Sequence, residues 1–88
     1  MSIKETFSVM IQNVDEGFIR SNIYMVDNAL LARALKGLAP ELQEKILGNM
    51  SKDGEEEVKR LMAEQGEITD EAVESAQQEI MAMAQGHI

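Results

Sequence analysis

An all-α fold is what this sequence predicts, and three observations predict it. Apolar residues recur at three- and four-residue spacing, as in Ile3, Phe7, Met10, Ile11 and again in Leu30, Leu31, Ala34, Leu35, Leu38. Aromatics make up 3% of the chain against a hydrophobic fraction of 44%, so the core is aliphatic and methionine-rich, whereas sheets draw on aromatic and β-branched side chains. No Asn-Gly or Asp-Gly pair lies between alternating apolar runs; Asp53-Gly54 has charged flanks. The 88 residues allow one domain, 1–88, without a linker or low-complexity break.

Six short helices account for the pattern. Ser2 and Glu5 have the S-x-x-E spacing of a capping box, which starts the first helix near Ile3, and Asn13 breaks it. Asp15 caps the second, with Phe18, Ile19, Asn22, Ile23 and Val26 on one side; Gly17 and Asn22 make it the weakest. Asp27 caps the third, expected to run to about Leu38, with Gly37 near its end. Pro40, whose missing N–H costs nothing in a first turn, opens the fourth, expected to reach Asn49 with Leu42, Ile46, Leu47 and Met50 inward.

Ser51 caps the fifth helix, where Val58, Leu61, Met62 and Gln65 face in and Glu55, Glu56 and Glu57 favour the positive end of the dipole. Gly54 within its opening turns predicts a late or frayed start, and Gly66 a stop. Thr69 caps the sixth, with Val73, Ala76, Gln77, Ile80 and Ala84 on one face and Gly86 at its end. Met25, Met50, Met62 and Met83 are read as core. Met81 and Met83 flank Ala82, so at least one of them is expected to face outward, which makes this the place to look for exposed apolar surface.

Charge and composition exclude several functions. The net charge is −8, with five Lys/Arg against six acids in residues 1–50 and three against ten in residues 51–88. Nucleic-acid binding draws on clustered Lys/Arg, so a phosphate-backbone partner and a helix-turn-helix reader are both disfavoured. Cysteine is absent, the N-terminus carries Glu5 in place of a signal-peptide core, and no apolar run approaches the roughly 20 residues of a membrane span. A cytoplasmic protein is the expectation.

Catalytic chemistry is sparse. The one histidine, His87, stands next to the last residue, and no G-x-S-x-G, phosphate-cradling glycine loop or H-E-x-x-H occurs. Asn49-x-Ser51-x-Asp53-Gly54 has a calcium-loop rhythm, but its first position lacks Asp and its twelfth, where a bidentate Glu belongs, is Arg60. No enzyme, metal site or cofactor is expected.

Three segments carry a resemblance: Asp27–Gly37 (DNALLARALKG), Glu41–Ser51 (ELQEKILGNMS) and Val73–Ile80 (VESAQQEI). Together, in this order and spacing, they resemble the C-terminal domain of the flagellar motor switch protein FliG; Phe7 and Val14-Asp15-Glu16 extend the likeness toward the N-terminus. The resemblance implies a compact, right-handed, armadillo-like helical domain whose last four helices generate torque. It also implies a charged ridge facing the cytoplasmic loop of the stator protein MotA, at the cytoplasmic face of the basal body, possible contacts with the other switch proteins, and no enzyme activity.

The ridge departs from the family pattern. The lysine of ALKG is kept as Lys36, but the family arginine after NMS-x is Asp53, a family pair of acids falls on Arg60 and Leu61, and the arginine of GPVR falls on Thr69. Lys36, Asp53, Lys59 and Arg60 are the candidate partner-contact residues. A stand-alone FliG-like adaptor with a non-motor partner is the alternative reading, and the length fits an excised domain or a stand-alone relative.

Overall fold

The computed structural model describes residues 2–85, and within them the chain is helical throughout, with no strand. Six helices follow in order: α1 (Ile3–Asn13), α2 (Glu16–Asn22), α3 (Asn28–Leu35), α4 (Pro40–Leu47), α5 (Lys52–Gln65) and α6 (Asp70–Gln85). A single 3₁₀ turn, Ile23–Met25, follows α2.

The starts are made by the residues the sequence suggested. Ser2 Oγ accepts from Glu5 N at 3.1 Å while Glu5 returns a carboxylate to Ser2 N at 3.2 Å, a complete capping box. Asp15 caps α2 through Phe18 N, Asp27 caps α3 through Ala29 and Leu30 N, Ser51 caps α5 through Gly54 N, and Thr69 Oγ1 accepts from Ala72 N. Gly66 ends α5 at φ +58°, ψ −138°, a conformation that side chains with a Cβ avoid.

Several ends differ from expectation by about a turn. α3 stops at Leu35, not Leu38, because Lys36, Gly37 and Leu38 donate three residues back and tighten the chain. α4 stops at Leu47, not Asn49, for the same reason at Asn49 and Met50. α5 does not start late: Gly54 lies in its first turn and its N–H is the one Ser51 caps. The expected stop at Gly86 lies outside the described residues, as does His87.

α3 is the central helix, packed against both α5 and α6, while α1 lies on α6 and touches α4. The core joins Phe7 and Ile11 of α1, five residues of α3, Leu38, Ile46 and Leu47, Val58 of α5, and Ala76 and Ile80 of α6. The radius of gyration, 11.9 Å, matches the roughly 12 Å of a compact chain this long.

The apolar surface is not where the sequence pointed. Met81 and Met83 are both half-buried against the core, with exposed Ala82 between them. Among the described residues the large apolar side chains that are exposed are Val9, Phe18, Tyr24 and Met25; Phe18 and Met25 therefore depart from the inward positions expected of them. For Met25 the break after Asn22 accounts for this, since the 3₁₀ turn changes the direction of Tyr24 and Met25 relative to a continued α-helix; Phe18 lies before the break, in α2 itself.

Candidate interaction surfaces

Three glutamines finish α3. A helix leaves its last four carbonyls without intrahelical donors, and here Gln65 of α5 donates Nε2–H to Ala32 O at 3.0 Å. Gln77 of α6 donates to Ala34 O at 3.0 Å, and Gln43 of α4 to Leu35 O at 2.8 Å and Leu38 O at 3.1 Å. Each later helix thus sends one amide to the same end of α3. Gln77 is fully buried, its Oε1 has no partner, and Gly37 lets α6 approach: a Cβ there would lie 2.5 Å from Gln77 Nε2 and 2.7 Å from Val73 Cγ1. The signal for these residues in the sequence was a polar amide on an otherwise apolar stripe, seen at Gln65 and Gln77 without its purpose.

Other polar ties set the remaining helices. Lys45 of α4 donates to Ile11 O at 2.7 Å and Gln12 O at 3.1 Å, placing a cation at the negative end of α1. Asn49 accepts from Arg20 at 2.8 Å and donates to Glu16 at 3.1 Å and to Lys45 O at 2.7 Å, joining α2 to α4. Asn28 donates to Glu57 at 3.0 Å, and Lys4 pairs with Asp70 at 2.6 Å.

The four candidate contact residues are all exposed. Lys36 stands on the turn after α3, and Asp53, Lys59 and Arg60 stand on α5. At about 100° per residue, Asp53 and Arg60 share an outward stripe two turns apart, with Lys59 to one side. Arg60 is held by its own helix, 2.7 Å from Glu64 and 3.6 Å from Glu57, and Lys59 lies 3.2 Å from Glu55. Such exposed pairs contribute about 0.3–0.5 kcal/mol each, but they cancel field at the surface. Among the described residues Asp53, Glu56, Lys52 and Lys36 make no ion pair, so α5 presents free acids beside Lys52 at its start, and Lys36 stands apart on the turn after α3.

An apolar cleft of about 80 Å³ lies under α2, floored by Phe7, Ile11, Leu31 and Ile46, with the exposed Phe18 and Met25 at its edge. Among the described residues Asn22 is the one polar residue in its lining. Among the described residues no three His, Cys, Asp or Glu come together as a metal site would need, and no helix is long and apolar enough to cross a membrane.

No curated protein and no solved structure matches the chain. A family model does: the FliG C-terminal domain matches residues 4–87. A match of that span, on a chain folded into six helices, places the three motif segments within one family. This chain belongs to the FliG C-terminal domain family, the flagellar motor switch domain.

Proposed function

We propose that residues 1–88 act as one non-enzymatic interaction domain on the cytoplasmic side of a flagellar motor, and that the outer face of α5 with the turn after α3 meets the cytoplasmic loop of a MotA-like stator. The supporting observation is the family match over residues 4–87 together with the exposure of Lys36, Asp53, Lys59 and Arg60. The mechanism is charge complementarity, which steers encounter and rejects mismatched partners. With Arg60 and Lys59 neutralised by Glu57, Glu64 and Glu55, the matching loop carries basic residues opposite Asp53 and Glu56 and an acid opposite Lys36.

A pull-down with the stator loop from the same cell tests this. The double reversal Lys36→Glu/Asp53→Lys is expected to weaken binding at least about tenfold and to impair swimming, with the circular dichroism spectrum unchanged. No binding by the unaltered chain, with normal swimming of the variant, rules the reading out. The acidic face also favours a second reading, a FliG-like adaptor with a basic non-motor partner; a source without flagellar genes selects it.

A further inference from the structure

The segment from Asp15 to Val26 is attached to the fold differently from the rest. Of its twelve residues only Ile19 is buried, and Ile19 lies outside the contiguous core cluster, which the segment touches through half-buried Ile23 and Val26; five of the eight residues of α3 are buried within it. Extended residues mark both ends of the segment, Val14 and Asp15 (ψ 141° and 159°) at its start and Val26 and Asp27 (ψ 128° and 135°) at its close. Within it Ser21 and Asn22 donate side-chain bonds to Gly17 O and Phe18 O, an alternative to helix bonding that weakens a short helix.

Among the described residues its polar fastening to the rest of the fold is a single residue just past α4: Asn49 accepts from Arg20 and donates to Glu16. Beneath it lies the apolar cleft, and Phe18 and Met25 rest on the cleft edge half in water. We propose that α2 and its 3₁₀ turn form a flap, hinged at Val14-Asp15 and Val26-Asp27 and latched by Asn49, which opens as a unit and uncovers the floor of Phe7, Ile11, Leu31 and Ile46. Opening exposes Ile19 and the side of Phe7, Ile11, Leu31 and Ile46 that faces the segment, while the contacts of α3 with α5 and α6 and of α1 with α6 stay in place. This is the kind of region from which sub-global openings are drawn.

Native-state amide hydrogen exchange on the full chain tests it. Amides of residues 18–25 are expected to exchange about a hundredfold or more faster than those of Leu31–Leu35. Asn49→Ala is expected to speed exchange of residues 18–25 severalfold further and leave the α3 rates unchanged. Because Asn49 also bonds Lys45 O at the end of α4, the double variant Glu16→Ala/Arg20→Ala, which removes the latch from the flap side, is expected to do the same. Equal protection of α2 and α3, or variants that speed both helices alike, overturns the proposal.

Discussion

Gly37 and Gln77 decide how closely α6 lies on α3. Gly37→Ala puts a methyl carbon within 2.7 Å of both Gln77 Nε2 and Val73 Cγ1, so either these buried side chains or the helix that carries them must shift. Overpacking of this kind costs about 1–3 kcal/mol, and a thermal or urea melt of the variant is expected to show it. Gln77→Glu replaces the amide that donates to Ala34 O with a buried carboxylate facing that same oxygen. Burial disfavours the charged form, so the folded state holds such an acid protonated to higher pH than the unfolded chain does. The variant's deficit is therefore expected to grow as pH rises above the ordinary carboxylate range and to shrink toward acid, as paired urea titrations at pH 4 and 7 would show. Gly66 is different: no atom lies within 4 Å of a Cβ there, so the cost of Gly66→Ala is backbone strain alone, about 1–3 kcal/mol.

At the scale of an element, α5 shows what was legible and what was not. Its start was readable because an N-cap is local chemistry: Ser51 is followed at once by helix, and Ser51→Ala is expected to cost about 1 kcal/mol in a thermal melt. The inward residues Val58, Leu61, Met62 and Gln65 followed from periodicity alone. Gly54 was misread because its role depends on the cap. A Cβ there meets Ser51 Oγ at 3.1 Å and Met50 Cε at 3.3 Å, which offsets the helix-propensity gain. Gly54→Ala is expected to leave stability within about 0.5 kcal/mol. The ends of α3 and α4 lie two or three residues earlier than periodicity suggests because their last turns tighten to three-residue bonds, which at α3 goes with carbonyls taken by Gln43 and Gln65 of later helices. The candidate contact residues were legible as charged and outward. Their pairing, Glu57 and Glu64 about Arg60, follows the i+3 and i+4 spacing but was not drawn from it, and the exposed edge at Phe18 and Met25 depends on where a broken helix comes to rest.

Across the whole molecule, sixteen acids face eight Lys/Arg, and repulsion among the acids opposes the compact state. Screening shortens its range, from about 30 Å at 0.01 M salt to about 8 Å at 0.15 M. The ion pairs at Lys4, Lys59 and Arg60 weaken under the same screening, yet they are exposed and few, so the repulsive term dominates. Raising sodium chloride across that interval is expected to raise Tm, read by circular dichroism, and a falling Tm would show that the pairs outweigh the net charge.

The three amides on the end of α3 have one more consequence, for the length of the chain itself. Ser51 sets where α5 begins and Gln65 must reach Ala32 O; Thr69 begins α6 and Gln77 must reach Ala34 O. An inserted residue between a cap and its glutamine turns the amide by about 100° and moves it about 1.5 Å along the axis, away from its carbonyl. Two spans of this sequence, 52–65 and 70–77, therefore tolerate substitution on their outer faces but neither insertion nor deletion. The segment 66–69 between them is where a change in length can be absorbed.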